Sequence, residues 1–261
     1  MKRSSLVVLT VAGLTLAACS SPKVGVNQTA TTGAGSQTTA SSSTTAPSSP
    51  KTAVISSLMT GTAHPTLPAL VPGKVAILVT APAVVNYGST TVPVMVGNGT
   101  SGYISDLNVS GPAVDSTGKI VGSGDSQHFT PHNVAPGEVS FGYVYFSSTV
   151  PAGSTFQFKV TYDSGKSSTT LDTQVTQANA GTDPQNLQIV GSVTNNTTKT
   201  IKNPISVGAY CFDSAGALIE HSSGSADGNA DLTQGAVASF SISMYGTTCP
   251  TFLVGASGYS F

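Results

Sequence analysis

The sequence predicts an all-β protein, two tandem β-sandwiches carried after a disordered tether. Three observations lead there. Short apolar runs bounded by Gly, Pro, Asn or Asp recur through the later part of the chain, with no helical period. A pattern of turn and strand residues repeats at an interval of 98 positions. Charged residues make up 8% of the chain, against about 25% in typical globular proteins, so Ser, Thr, Asn and Gly must cover the surface, as in secreted β-proteins.

The first element is not part of the fold. Lys2 and Arg3 precede an apolar run from Leu6 to Leu16, and small residues follow up to Cys19. This run is too short to cross a hydrocarbon core, which takes roughly 20 helical residues. A basic start, a short apolar centre and small residues mark a secretory signal peptide, here over 1–18. Leu16-Ala17-Ala18-Cys19 resembles the lipobox of bacterial lipoproteins. The resemblance implies cleavage before Cys19, a diacylglyceryl group on its thiol and palmitate-type acyl chains. It implies a place on the extracytoplasmic face of the cell membrane, lipid-anchored. A single acyl chain holds a protein marginally, whereas two make attachment durable. The alternative is an ordinary signal peptide with a chance Cys.

The second element, 19–70, contains the lipidated Cys and a Ser/Thr/Ala-rich stretch, as in "TTGAGSQTTASSSTTAPSSP". Too few large apolar side chains are present to offset ordering entropy, so a disordered tether is expected. As a coil of about 50 residues it would span about 40 Å root-mean-square. The mature chain from Cys19 keeps eight Lys against eleven acids, a net charge of 8 − 11 = −3, and no Arg. Lacking bidentate guanidinium forks, it is a poor partner for phosphates, and nucleic acid is not expected to bind.

The folded part is expected as two domains, at 71–178 and 184–261. Candidate strands are "KVAILV", "TVPVMV", "SFGYVYF", "TFQFKVTY", "LQIVGSV", "PISVGAYCF" and "ASFSISM". With a shift of 98, Asn98-Gly99-Thr100 falls on Asn196-Thr197-Thr198, Leu107 and Val109 on Ile205 and Val207, and Gly137 on Gly235. Asp115-Ser-Thr-Gly118 falls on Asp213-Ser-Ala-Gly216, each a hairpin turn whose Gly supplies positive φ. Cys211 and Cys249 remain as an even pair, expected to form a disulfide in an oxidising compartment. The alternative for them is two buried free thiols.

The second copy resembles the FxLYD-type domain, a small immunoglobulin-like or fibronectin-like sandwich of bacterial envelope proteins. Gly191, Asn195, Phe212, Asp213, Gly216, Gly235 and Phe240 occupy the positions of that pattern. Cys211 stands where the family usually has an aliphatic residue, and Ala209 replaces the eponymous Phe. The first copy keeps the "VAPGE" turn at 134–138 and fits "GPAVD" more loosely. The family implies no shared catalytic residues.

Several motifs contain residue types able to do chemistry. Ser116-Thr-Gly-Lys119 matches S-x-x-K but falls in the hairpin turn, where the two side chains share no helical face. His128 and His132 have metal-like spacing, yet Pro131 lies between them and no Cys or acid clusters nearby in sequence. Asp227 to Asp231, "DGNAD", lacks the later Gly and Glu of a calcium loop. Phe141, Tyr143 and Tyr145 alternate on one strand face and could stack a sugar or a partner. Phe240, Ile242 and Met244 in the second copy favour a core role for them. The sequons at Asn98, Asn108, Asn195 and Asn196 are expected in any chain so rich in Asn and Thr.

The expected function is therefore a non-catalytic binding or structural module of the bacterial cell envelope, with no catalytic, metal or cofactor residues. The membrane is reached through the lipid on Cys19, and the further partner is an envelope protein or a cell-wall glycan. The alternatives are an accessory or spacer subunit of a larger envelope complex, and a metal-binding or enzymatic lipoprotein.

Overall fold

A computed structural model describes residues 51–181, 183, 187–244 and 248–261. The expected signal peptide, Cys19 and the first part of the expected tether lie outside the described residues.

The described residues open with two short strands, β1 (Val54–Ile55) and β2 (Thr60–Gly61). Next come β3 (Val75–Thr80), β4 (Val84–Asn86), β5 (Ser89–Asn98), β6 (Ile104–Val114), β7 (Ile120–Thr130) and β8 (Glu138–Phe146). Then β9 (Thr155–Phe156) and β10 (Lys159–Ser164) complete the first copy. The second copy consists of β11 (Thr170–Ala180), β12 (Gln188–Thr194), β13 (Lys202–Phe212), β14 (Leu218–Ser225), β15 (Val237–Ser243) and β16 (Thr251–Tyr259). The chain is all-β, and its two sheets form two β-sandwiches.

The first sheet runs β10-β6-β7-β8-β5-β3 and the second β14-β13-β16-β11-β12-β15. Both follow one cyclic order, opened at different places. The first sandwich opens between β3 and β10, which lie side by side without a ladder. The second opens between β14 and β15, joined there by the Ala226–Phe240 bridge and the Asp227 N–H donating to Ser239 O at 2.7 Å. Each encloses its own core: Val92, Val94, Val96, Val109, Val144 and Phe146 in the first, Val193, Ile205, Val207, Phe240, Ile242 and Val254 in the second.

The repeat is visible bond for bond. Asn98 and Asn195 are both fully buried. The Asn98 Nδ2 donates to Gly102 O and Val134 O at 2.8 and 3.0 Å, and its Oδ1 accepts from the Thr100 N–H and hydroxyl. The Asn195 Nδ2 donates to Lys199 O and Leu232 O, both at 2.7 Å, and its Oδ1 accepts from the Thr197 N–H and hydroxyl. The counterpart of Asn98 is therefore Asn195, one residue before the Asn196 that a constant shift selects. Both side chains are committed inside the fold, which makes these two sequons unusable as acceptors.

Two expected boundaries move. Residues 51–70, expected within the tether, form a strap across both sandwiches. β1 pairs parallel to β8 of the first, and β2 pairs antiparallel to β16 of the second. Val175 N–H donates to Leu58 O, and Thr60 Oγ1 donates to Val175 O at 2.7 Å. Ala53, Met59, Ala63 and Leu70 are buried beneath it. Strand β11, placed mostly in the first domain by the boundary at 178, pairs with β12 and β16 and sends Val175 into the second core.

A third apolar layer joins the sandwiches into one compact unit. Met95, Val139 and Phe141 from the first meet Tyr210, Phe212, Leu218 and Leu253 from the second, with strap residues closing the sides. Phe141 lies edge-on to Phe212 at 5.8 Å, and the Tyr210 hydroxyl donates to Phe141 O at 2.8 Å. A Cβ on Gly255 would collide with the Thr130 methyl, so only glycine lets β16 approach this closely. Strands β5, β13 and β16 are consequently buried on both faces along most of their length.

Cys211 and Cys249 form a disulfide, with Cα atoms 5.1 Å apart and a sequence separation of 38. Reduction, or Cys249→Ser, is expected to lower unfolding free energy by about 4 kcal/mol in the chain-entropy model, read by urea denaturation with and without reductant. Phe141→Ala empties the centre of the shared layer and is expected to cost about 3–5 kcal/mol. Calorimetry should show both sandwiches melting earlier in one transition; two separated transitions in the native protein would refute the coupling.

Candidate functional site

Chemistry-bearing side chains gather on both flanks of the shared layer. On one flank, the loop after β7 carries His132 and Asn133 against Asp172 of β11. Asp172 is buried, and its carboxylate accepts from the His132 N–H at 2.6 Å, the Asn133 N–H at 2.9 Å and the Asn133 Nδ2 at 2.9 Å. Burial raises its pKa, and the Asn133 side chain and the two amides work against that rise. Such a carboxylate, satisfied by three donors, pins the two sandwiches together. The Thr130–Pro131 peptide leading into this loop is cis.

A small cavity of about 210 Å³ lies beside this loop, lined among others by Asp106, Asn108, His128, His132 and Ser257. His132 Nε2 lies 3.1 Å from Asp106 Oδ1, and His128 Nε2 lies 3.4 Å from Ser257 Oγ. The two imidazoles of the "QHFTPHN" motif thus have separate partners. Among the described residues, no group of three His, Cys, Asp or Glu converges as metal ligands do.

On the other flank an aromatic ladder climbs out of the layer along β8. Register places Phe141 opposite Met95, Tyr143 opposite Pro93 and Tyr145 opposite Thr91. Exposure rises step by step: Phe141 0%, Tyr145 39%, and Tyr87, at the tip of the β4–β5 hairpin, 100%. Tyr143 stacks on His221 of β14 with ring centroids 4.1 Å apart. Asn86, Tyr87, Thr91, Tyr143, Tyr145 and His221, with Ser222 and Ser223, line a cleft of about 470 Å³.

The expectation that Phe141, Tyr143 and Tyr145 are core holds for Phe141 alone, and the core it enters is the shared layer. The counterparts of Phe240, Ile242 and Met244 are Gly142, Val144 and Phe146, on the inner face of β8. The outer face of β15 carries Ser239, Ser241 and Ser243 where β8 carries the three aromatics. Sequence reasoning missed His221, Asp172 and Tyr87. A pairwise comparison of faces, with serines in one copy and aromatics in the other, is the signal that points to a covered surface.

The remaining motifs are structural. Asp115 Oδ1 accepts from the Thr117 and Lys119 amides, closing the hairpin that contains Ser116. Its pKa is lowered by the Thr117 hydroxyl and the Lys119 amide. Asp213 repeats the turn with the Ala215 and Ala217 amides. In "DGNAD", Asp231 accepts from Lys202 Nζ at 2.6 Å and Asp227 from Ser239 Oγ at 2.8 Å, so the two carboxylates serve different partners. Cys19 lies outside the described residues. Compared with known proteins, the chain matches no family model and none of the curated proteins.

Burial pushes the His128 imidazole down to about 4, helped by His132, and the His221 imidazole down to about 3, helped by His128. Unfolded imidazoles titrate near 6.5. The unfolded state therefore takes up these protons first, and stability present above that pH is lost as pH falls towards 4 and then 3. The slope reaches about 1.4 kcal/mol per pH unit for each group. Asp172 acts in the opposite sense, since its raised pKa favours the folded state on acidification. His221→Phe keeps a ring on Tyr143 but removes one titration. Denaturant unfolding between pH 7 and pH 4.5 should show a shallower loss in that variant than in the native protein; equal slopes would contradict the assignment.

Proposed function

We propose that this chain is a lipid-anchored, extracytoplasmic binding module of the bacterial cell envelope, and that it acts by binding and not by catalysis. Cys19 carries the lipid, the segment up to Lys51 spaces the folded part from the membrane, and the double sandwich meets the partner. The observation that carries this reading is Leu16-Ala17-Ala18-Cys19, set behind a basic start and a short apolar run. The Cys211–Cys249 disulfide supports it, since such bonds persist in oxidising compartments. The FxLYD-type resemblance of the second sandwich points to the same setting.

The strap shortens the spacer. Residues 20–50 number 50 − 20 + 1 = 31, and a flexible coil of that length would span about 30 Å. Tethering at such reach raises the effective concentration of the sandwiches near the membrane. Binding is favoured over catalysis because the Ser/Lys, His/His and Asp/Asp motifs all serve local structure. A second reading, a spacer subunit of a larger envelope complex, is favoured by the shared apolar layer, which makes the two sandwiches one stiff body.

Feeding cells a tagged palmitate analogue tests the anchor. The native protein should take up label and sediment with membranes, whereas Cys19→Ala should lose the label and the attachment. Unlabelled native protein, or a labelled Cys19→Ala variant, would overturn the anchoring.

A further inference from the structure

We propose that the aromatic cleft between the β4–β5 hairpin, β8 and β14 is a binding site for a neutral oligosaccharide, whose sugar rings stack on Tyr145 and Tyr87. The inference rests on the reading of the folded part as a binding module and assigns that module a surface and a ligand class.

The lining sets the ligand's charge. Among the described residues, no Asp, Glu, Lys or Arg borders the cleft, and burial lowers the His221 pKa, which favours its neutral form. A charged ligand entering here would lose part of its hydration with no opposite charge to meet it. The neutral ligand must also suit flat rings set among hydroxyl and amide groups. A pyranose does: its C–H face lies against an aromatic ring, while its equatorial hydroxyls reach Asn86, Thr91 and Ser223 around the rim. The volume, about 470 Å³, lies within the common range for small-ligand pockets.

Tyr87 supplies an independent argument. It occupies the first central position of a two-residue hairpin turn at φ 48°, with Gly88 following at φ 83°. That turn selects Asn or Gly at its first position, and a bulky residue held there is strained. Tyr87 recovers nothing for the fold, because its ring is fully exposed. A ring placed over the cleft at the expense of stability is accounted for by a ligand that covers it. Proline-rich peptides also dock on tyrosines and read long open grooves; this cleft is bordered on one side by the Tyr143–His221 stack.

The test titrates the full chain, in a zwitterionic detergent, with oligomers of N-acetylglucosamine, glucose, mannose and xylose. Calorimetry and tyrosine fluorescence provide the readouts, the latter undisturbed because the chain has no Trp. At least one neutral oligomer should bind saturably. Tyr145→Ala and Tyr87→Ala should each weaken it about tenfold or more. Tyr87→Asn should raise Tm while losing affinity, which separates the site from folding. The proposal is overturned by no saturable binding at concentrations on the order of 10 mM, by binding confined to charged glycans or to a proline-rich peptide, or by affinity unchanged in Tyr145→Ala. Failure here with palmitate labelling intact removes the glycan and leaves the anchored module standing; loss of labelling with glycan binding intact does the reverse.

Discussion

Burial of Phe141, Tyr210 and Phe212 between the two sandwiches is the constraint on which the rest of the structure depends. Each such ring removes some 150–250 Å² from water, and all three sit on strand faces that would otherwise point outward. Once those faces are covered, β5, β13 and β16 must be apolar on both sides, which produces the unbroken runs "TVPVMV" and "PISVGAYCF" in place of alternation. Polar atoms caught in the layer need partners. The Tyr210 hydroxyl takes the Phe141 carbonyl, and Asp172 takes three donors from the loop around Pro131. The strap follows from the same geometry: the layer's flank exposes apolar atoms of both sandwiches, and Met59, Ala63 and Leu70 cover them.

The layer also turns a repeat into an asymmetric object. Two copies of one topology could face each other symmetrically, but here the outer face of β8 packs inward on its neighbour while the equivalent face of β15 remains in solvent. Aromatic residues at 141, 143 and 145 against serines at 239, 241 and 243 record that difference. The seams differ as well, and the second sandwich is left open between β14 and β15. Strand β14 therefore offers His221 across the junction to Tyr143, a contact with no counterpart in the first copy.

Much of the fold is legible in sequence because turn residues and apolar runs are local signals. The hairpins at Asp115 and Asp213 and the strands around Val94, Val144 and Val207 follow from them, and the Cys211–Cys249 pairing follows from the even cysteine count. The strap is not legible, because its contacts lie far off in sequence and its buried residues are small and widely spaced, so 51–70 has the composition of a tether. Strand β11, "TLDTQVTQANA", is too polar to announce itself, since only one stretch of one face reaches the core. The constant shift misplaces Asn98 by one residue because the second copy holds one more residue between its next two core positions: Ile104 and Ile201 lie 97 apart, Leu107 and Ile205 98. The cleft was half visible. Its tyrosines stand out in the sequence, but which face of β8 they occupy depends on a pairing that only the fold supplies.

That pairing explains why a recognition surface would arise at the rim of the layer and not on an open sheet. A stacking platform is effective when its rings are held in place before the ligand arrives, since ordering them on binding costs affinity. Tyr145 shares a strand with Phe141, which is fixed in the layer, and Tyr143 between them is clamped by His221. The neutral imidazole matters to that clamp. Protonation would put a charge into an apolar pocket already flanked by His128 and by the tyrosines 143 and 210, and burial resists it. The residues that weld the sandwiches together are therefore also those that stiffen the cleft, and a change that loosened the layer would disorder the rings at its edge before it unfolded either core.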